Sequence, residues 1–290
     1  MNHEDYIEQA CQSALSQSYP NIEIVLLDNL SNDETFSKAK KALENSKFPV
    51  KVFQNTERFG VAKNLNILVS QTVGEYICIL SGDDWFTDNS IEEKVAYIQK
   101  NKLDFVLTDG YRFLQESGLT VDAYSEKRKN KIINSIPNFF YENVTQNEPF
   151  NVGVMVKGEI LKQHPFDENI NTEDWDMNLR LTHLGYKIGF INEKLFYYRI
   201  LPKSLSSNWT LMEDSYKKVT NKYLDYIFAD KNLKTKYLVN ILKHEYEKQL
   251  SNEKDDNKRK ALLRKWKEEK YKLKYQQPLL FFKLLLLKIK

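Results

Sequence analysis

Two adjacent carboxylates, Asp83 and Asp84, follow an apolar run and are the side chains in this sequence best placed to do chemistry. Residues 76–80 are apolar throughout, which predicts a strand buried on both faces of a sheet. Ligands of open α/β sheets bind beyond the carboxyl ends of the strands. Neighbouring carboxylates repel each other unless a positive charge lies beside them, and a hard divalent cation carrying phosphates would supply that charge. The alternative is an acidic turn, since Gly-Asp-Asp is ordinary loop sequence.

Two earlier loops also carry polar or basic side chains next to predicted strands or helices. Asp28 and Asn29 follow an apolar run, and their side chains can hydrogen-bond a nucleotide base or ribose; an Asx turn is the alternative. Lys63 lies near a predicted helix start, where basic groups suit phosphates, although a solvated helix charge is the alternative. Ser31 and Glu34 predict a capping box that opens the helix after the first of these loops.

A further acidic group, Glu173, Asp174 and Asp176, surrounds Trp175 at another predicted helix start. One of these carboxylates can act as a general base, and the indole can form a platform for a sugar ring. Acidic residues also favour a first helical turn through the macrodipole alone, and Thr172 can serve as a plain N-cap. The segment therefore predicts a helix N-terminus, with catalysis as the functional alternative.

The order of the predicted elements indicates the fold class. Up to residue 110, helical stripes alternate with short apolar runs, which predicts βαβ units in an α/β fold with a mostly parallel central sheet flanked by helices. From Trp209 onward the sequence is rich in Lys, Glu, Tyr and Leu and predicts helices. We therefore expect a sheet-containing domain over residues 1–208 and an α-helical C-terminal extension over residues 209–290.

Composition excludes several classes of protein. Apolar residues make up 41% of the chain and aromatic residues 13%, so a sizeable core can form and wholesale disorder is excluded. Cys11 and Cys78 cannot make a disulfide framework, and they fit a reducing compartment. No apolar run approaches the roughly 20 residues of a membrane-spanning helix, and we expect neither a span nor a signal peptide.

Charge is unevenly distributed along the chain. The net charge is +3, but residues 251–290 carry a net +8 and the preceding residues a net −5, so an anionic surface is the expected partner of the tail. Residues 279–290 are rich in Leu and Phe with interspersed Lys. This stretch is too short to span a bilayer but could lie in the interface of an anionic membrane. Packing onto the protein itself or onto a second copy, as in a homodimer, is the alternative.

Four segments together resemble family 2 glycosyltransferases of the GT-A fold. They are D-N-L-S-N-D-E-T from residue 28, N-T-E-R-F-G-V-A-K-N from residue 55, G-E-Y-I-C-I-L-S-G-D-D from residue 74 and T-E-D-W-D-M-N-L-R-L from residue 172. Each segment alone is weak evidence for the family, but the order and spacing of the four are close to those of its members. The resemblance covers roughly residues 2–206.

The resemblance implies a reaction and its participants. A sugar would pass with inversion from a nucleotide sugar, usually UDP-linked, to a glycan or lipid-linked acceptor, assisted by Mn²⁺ or Mg²⁺. Surface polysaccharide or glycan synthesis in the cytoplasm, at the inner face of the cell membrane, would be the setting, with no nucleic acid partner. The alternative function is a non-catalytic nucleotide-sugar-binding or scaffold subunit that partners an active transferase.

The resemblance also implies roles for individual residues. The donor would contact Asp28, Asn29, Lys63, Asp83 and Asp84. Asp84 would hold the metal, together with Asp83, and removal of Asp84 would cost more activity than removal of Asp83. Asp174 would be the catalytic base, and Glu173 and Trp175 would contact the acceptor.

The sequence departs from the family pattern at several positions. Members usually open with an apolar strand, whereas residues 1–6 resemble the segment that follows that strand, so a truncated or misassigned start is expected. Asn29 replaces the usual second Asp, an exchange that still leaves an acceptor oxygen. Ser81 stands where many members have the first Asp of the acidic motif. Leu201 occupies the place of a late His that contacts metal or diphosphate in some members, and Leu can do neither.

Overall fold

The computed structural model describes residues 1–146, 152–202 and 208–275. Contacts within the chain divide it into two compact units. The first unit comprises residues 1–140 and the described part of 148–207, and the second comprises residues 141–146 and 208–275. Each unit is described separately.

The first unit alternates helices and strands. In chain order these are α1 (Ile7–Leu15), β1 (Ile24–Asp28), α2 (Thr35–Leu43), β2 (Val50–Gln54), α3 (Val61–Gln71), β3 (Tyr76–Cys78), β4 (Trp85–Phe86), α4 (Ser90–Asn101), β5 (Phe105–Leu114), β6 (Leu119–Asp122), α5 (Glu126–Ser135), α6 (Phe139–Asn143), β7 (Met155–Lys157), α7 (Gly158–Gln163), α8 (Glu173–His183) and β8 (Ile188–Ile200). Helix α6 extends across the boundary into the second unit.

The second unit is helical. Its further helices are α9 (Trp209–Asn221), α10 (Leu224–Ala229), α11 (Lys231–Asn252) and α12 (Asp256–Tyr275). Asp230 caps α11, because its carboxylate accepts hydrogen bonds from the backbone N–H groups of Asn232 and Leu233. The α/β class and the helical C-terminal region expected from the sequence are both confirmed. No helix within the described ranges is long and apolar enough to cross a membrane.

Two sheets form the framework of the first unit. Strands β1 and β2 pair in parallel as a two-stranded sheet. The second sheet has the strand order β3-β7-β5-β8-β4, with β6 added on β5. It is mixed and not mostly parallel as the sequence predicted: β5 and β8 are parallel, and the other described pairs are antiparallel. Helices flank this sheet, and its core includes Phe105, Leu107, Val156, Met177 and Leu181, all at most 1% exposed.

The structure differs from the sequence analysis in two elements near the site. Helix α2 begins at Thr35, and its first N–H donates to the Asp33 carboxylate at 3.0 Å, so the predicted capping box of Ser31 and Glu34 is wrong. The apolar runs 188–191 and 195–200 predict two separate short strands, but β8 continues through both. Its middle is polar, with Glu193 exposed, and the pairing of β5 with β8 shifts register at Asp109, so a bulge accommodates the polar residues without ending the strand.

Contacts at both ends of β1 tie the smaller sheet to the rest of the unit. The Glu23 carboxylate accepts hydrogen bonds from the backbone N–H groups of Val73 at 2.6 Å and Gly74 at 2.8 Å, just before β3. Beyond the other end, the N–H of Asn2 donates to Ser31 Oγ at 2.9 Å. His3, next to Asn2, has Nδ1 3.9 Å from Asp83 Oδ1 in the loop after β3. The loops after β1 and β3 therefore lie on the same side of the unit, as expected for the carboxyl ends of strands in such a fold.

Candidate functional site

The Asp28 carboxylate ends β1 and is almost fully buried, with 3% exposure. It accepts hydrogen bonds from the backbone N–H of Ser31 at 2.9 Å, from the Ser31 hydroxyl and from Gln54 Nε2 at 2.7 Å. Burial alone would raise the pKa of this carboxyl, but the hydrogen bonds from Ser31 and Gln54 outweigh it and lower the pKa. The residue is therefore ionised and holds the loop after β1 in shape.

The Asn29 side chain binds both backbone groups of Phe59. Its Oδ1 accepts from the Phe59 N–H at 2.9 Å, and its Nδ2 donates to the Phe59 carbonyl at 2.8 Å. Asn55 Nδ2 donates to the same Oδ1 at 3.0 Å. A carboxylate could accept but not donate, so the amide explains why Asn can replace Asp at this position. Asn29 thus joins the first polar loop to the second.

The same pair of loops contains a strained residue and the predicted basic group. Leu30 has φ of 56°, a left-handed conformation that is rare for a residue other than glycine and costs of order 1 kcal/mol. Arg58 Nε donates to its carbonyl at 3.4 Å. Lys63 lies in the first turn of α3, with Nζ 3.8 Å from the centroid of the Phe59 ring. No local pattern in the sequence predicted the Leu30 conformation.

Asp83 and Asp84 lie in the loop between β3 and β4, beyond the carboxyl end of β3. Asp84 is buried, with 4% exposure, and its Oδ1 accepts from the Arg199 backbone N–H at 2.9 Å. Burial and the neighbouring Asp83 charge raise the pKa of the Asp84 carboxyl well above its ordinary value. The Asp83 side chain is 21% exposed, with Oδ1 3.9 Å from His3 Nδ1. The two carboxylates therefore differ in burial: Asp84 is enclosed by protein, and Asp83 is partly exposed to solvent.

Arg199, on β8, holds this acidic loop and was not singled out from the sequence. Its guanidinium is buried and donates from Nε to the Asp83 carbonyl at 2.8 Å. Its terminal nitrogens donate to the side-chain oxygens of Gln115 and Gln9. The only signal in the sequence was its place two positions before Leu201, which the resemblance aligns with a late His of the family. A planar guanidinium with fixed donors can link three separate elements in this way, which an ammonium cannot do.

A stack of aromatic rings continues from Arg199 across the sheet. Trp85 and Tyr197 are register partners on β4 and β8 and stack with centroids 4.7 Å apart. Tyr197 in turn stacks on its β5 partner Tyr111 at 4.8 Å. Arg199 lies 4.7 Å from the Trp85 ring at one end, and Lys194 Nζ lies 4.6 Å from the Tyr111 ring at the other. A cation therefore lies against the ring at each end of the stack. These contacts hold Trp85, the residue that follows Asp84, in place.

Replacing Arg199 by Ala is expected to lower the free energy of unfolding by about 2–4 kcal/mol. Gln9 and Gln115 lose their shared partner, and a cavity opens beside the Trp85 ring. Chemical denaturation measures the loss. The unfolding free energy of Arg199→Lys should lie between those of the wild type and Arg199→Ala, because an ammonium cannot reproduce the planar set of donors of the guanidinium. Lys100→Ala, at an exposed position, is the control, and an equal loss in both Ala variants would contradict this role.

Glu173, Asp174 and Trp175 open helix α8, as the sequence predicted. Asp174 Oδ1 accepts from the Trp175 N–H at 2.7 Å. Burial raises the pKa of Asp174, and burial with the adjacent Asp174 charge raises the pKa of Glu173 to about 8. The Trp175 indole is only 2% exposed, so its ring is enclosed by protein and offers no open face to a sugar. The chemistry available here is that of a carboxyl pair with raised proton affinity.

The part of the folding stability that depends on Glu173 is expected to fall as pH rises. The folded chain keeps a proton on this side chain up to about pH 8, whereas the ordinary pKa of Glu is 4.5. Between these values unfolding releases a proton, so higher pH favours the unfolded chain. From about pH 6 to about pH 8.5, the denaturation midpoint should therefore drop more for the wild type than for Glu173→Gln. Equal drops in both proteins would refute the assignment.

The Asp83–Asp84 pair fits a divalent cation in its chemistry. Both groups are hard oxygen ligands, and a cation would relieve both the repulsion between them and the cost of burying Asp84. Across the described ranges, no three His, Cys, Asp or Glu side chains lie together closely enough to bind a metal. A cation here would therefore take its remaining ligands from elsewhere, such as a diphosphate and water.

Comparison with known proteins identifies similar sequences. The chain is 27% identical to Glycosyltransferase GlyA of Streptococcus pneumoniae over 218 residues, which are 72% of this chain and 31% of that protein. It is 26% identical over 207 residues to the Escherichia coli protein WfaP, named a UDP-Glc:alpha-D-GlcNAc-diphosphoundecaprenol beta-1,3-glucosyltransferase, with 71% and 77% of the two chains covered. The chain thus spans less than a third of GlyA and about three quarters of WfaP.

Solved structures share the fold. S. aureus TarS 1–349 in complex with UDP-GlcNAc matches with a TM-score of 0.57 and 18% identity, covering 84% of this chain and 78% of that one. The mannosyltransferase PcManGT of Pyrobaculum calidifontis, in complex with GDP-Man and Mn²⁺, matches with a TM-score of 0.55 and 15% identity, covering 93% and 66%. Among sequence families, the model of Glycosyl transferase family 2 matches residues 1–158, more than half of the chain. The protein therefore belongs to glycosyl transferase family 2 and has the GT-A-like fold of that family.

Proposed function

We propose that this chain transfers a sugar from a UDP-sugar to an acceptor hydroxyl with inversion at the anomeric carbon. The observation that carries the proposal is the Asp83–Asp84 pair, held beyond the carboxyl end of β3 by Arg199. Glu173 and Asp174 add a carboxyl pair of raised proton affinity. Both pairs belong to segments that resemble the family, which supports an enzyme over a non-catalytic scaffold.

The donor is proposed from the loops after β1 and β2. Asp28 and Asn29 hold these loops in one arrangement, and Lys63 places a cation at the start of α3, where a helix N-terminus also favours anionic groups. TarS is described with UDP-GlcNAc and PcManGT with GDP-Man, so proteins of this fold bind nucleotide sugars. A UDP-linked donor bound by Asp28, Asn29 and Lys63 is our specific proposal for this chain.

Asp83 and Asp84 would hold Mn²⁺ or Mg²⁺. PcManGT is described with Mn²⁺, and the acidic pair has the ligand chemistry for either ion. When bound, such an ion neutralises charge on the departing diphosphate. Lys63 would share that electrostatic task from the helix start. Leu201 supplies no ligand, so we propose that the two carboxylates are the ligands contributed by the described part of the chain.

Asp174 would act as the general base. The acceptor oxygen bonds to the anomeric carbon from the face opposite the diphosphate, its proton passes to an Asp174 oxygen, and the bond to the diphosphate oxygen breaks with its electron pair. A raised pKa suits this role, because a base accepts a proton best when its pKa lies near the working pH. Glu173, neutral below about pH 8, can donate a hydrogen bond to the acceptor.

The acceptor is proposed to be a glycan or a lipid-linked sugar in surface polysaccharide synthesis. WfaP, by its name, acts on a diphosphoundecaprenol-linked sugar, and it aligns with 71% of this chain. We propose the cytoplasm, at the inner face of the membrane, as the place of reaction. The predicted membrane contact at residues 279–290 lies outside the described residues. A homodimer remains a prediction.

Two measurements test the proposed function. A panel of nucleotide sugars with Mn²⁺ should contain one that raises the melting temperature, because a ligand that binds only the folded chain stabilises it. With that donor and a short lipid-linked glycan, UDP release and a sugar-extended product should appear together. Donor binding without turnover would support a scaffold, and no binding by any UDP-sugar would overturn the proposal.

A further inference from the structure

Helix α12 carries half of the Lys and Arg residues in the described part of the second unit. Its 20 residues include nine Lys or Arg and three Asp or Glu. One side packs on α11: Leu273 is buried, with 3% exposure, and Glu269 hydrogen-bonds with Tyr246 of α11. The side turned away from α11 is therefore the surface on which most of the charge is displayed.

That outer face combines cationic side chains with amphipathic ones. Its residues recur at helical spacing and are exposed to solvent; they are Lys260, Arg264, Lys267, Tyr271, Lys274 and Tyr275. Tyr271 is 57% exposed and Tyr275 70%, and Leu263 at the margin is 42% exposed. From Lys260 to Lys274 this face is a straight stripe about 21 Å long. Glu268, also exposed, is the acidic residue at its edge.

We propose that the outer face of α12 docks on an anionic lipid bilayer. Lys and Arg bind negatively charged headgroups, and their long stems can reach along the interface. Tyr is favoured at the headgroup level because its ring is apolar and its hydroxyl is polar. A stripe that holds both kinds of side chain on one line fits a flat, negatively charged surface with an apolar interior.

The composition of the face favours a bilayer over a soluble polyanion. Charge alone would serve a polyanion, and the exposed Tyr271, Tyr275 and Leu263 would then remain in water without a partner. In the sequence, Leu and Phe with further Lys occur again from Leu279 onward, four positions after the end of α12. The docking surface lies on a folded helix and does not require the transferase chemistry.

The test is flotation of the full-length chain with vesicles of phosphatidylcholine, with and without 30% phosphatidylglycerol. Binding should require the anionic lipid and weaken from about 0.1 M to about 0.5 M salt. Reversing three charges in Lys260→Glu/Lys267→Glu/Lys274→Glu should weaken binding at least about 100-fold, given the contribution of each Lys near an anionic surface and the repulsion added by each Glu. Tyr271→Ser/Tyr275→Ser should weaken binding without changing its salt dependence.

A matched control carries the same charge change elsewhere. Lys40→Glu/Lys41→Glu/Lys100→Glu alters exposed residues of the first unit and should leave flotation unchanged. A third variant, Lys283→Glu/Lys288→Glu/Lys290→Glu, tests the following segment. Equal loss in the control, or binding that the tail variant abolishes and the α12 variant leaves intact, would overturn the proposal. So would α12-dependent binding to duplex DNA without binding to vesicles. Transfer to a soluble acceptor should persist in the α12 variant, which separates this result from the proposed reaction.

Discussion

Asp174→Asn is expected to lower kcat by about 10²–10⁴-fold, the contribution of a positioned general base. The amide keeps the size of the carboxylate, and its Oδ1 can still accept from the Trp175 N–H, so the first turn of α8 is preserved. What is lost is the ability to take a proton from the acceptor hydroxyl. Steady-state transfer assays, read together with donor affinity, separate this loss from weakened binding.

Glu173→Gln is the matched control for that prediction. Glu173 is neutral below about pH 8, and glutamine reproduces a neutral carboxyl in size and in its ability to donate. At about pH 7 the variant should therefore keep kcat within a few-fold of the wild type. If Glu173→Gln lost as much activity as Asp174→Asn, or if Asp174→Asn kept full activity, Asp174 would not be the base.

Asp84→Asn is expected to reduce transfer by about 10²–10³-fold and to raise the Mn²⁺ concentration needed for half-maximal rate. The amide oxygen can still accept from the Arg199 backbone N–H, so the loop keeps its anchor while one negative charge is removed. Because the group is enclosed, its charge acts on the cation through little water. Activity measured over a Mn²⁺ titration gives both quantities.

Asp83→Asn provides the comparison at the neighbouring position. The Asp83 side chain is 21% exposed, so solvent screens its charge and the expected loss is smaller. Circular dichroism and melting temperature should be near those of the wild type in both variants. A larger loss for Asp83→Asn would reverse the order that we expect, and unchanged metal dependence in both would remove the pair from the metal site.

Much of the fold follows from local patterns in the sequence. Apolar runs predicted β1 and β3, and the acidic turn before an apolar stripe predicted the start of α8, because these signals lie within one element. Asp109 shows the limit of that approach. The bulge at this residue lets β8 continue through polar positions, and only the pairing with β5 reveals it.

The acidic residues of the site could be predicted from the sequence, but the residues that hydrogen-bond them and fix their loops could not. Asp83 and Asp84 stand out because two charges follow an apolar strand. Arg199 lies 115 positions after Asp84, and no local pattern joins residues so far apart in sequence. The Asn29 amide binds Phe59 through both of its polar atoms, a contact that requires both loops to be folded. Long-range polar contacts of this kind need the tertiary structure.

The separate pairing of β1 with β2 has a consequence for how the protein opens. Within the described ranges these strands share no ladder hydrogen bonds with the larger sheet, so their amides can exchange with solvent by a sub-global opening of the smaller sheet alone. Asp28 and Asn29 stand at its end, where the donor would bind. A bound donor would then stabilise this cooperative unit in particular, and hydrogen exchange would record the ligand as slowed exchange in β1 and β2 while amides of β5 kept their rates.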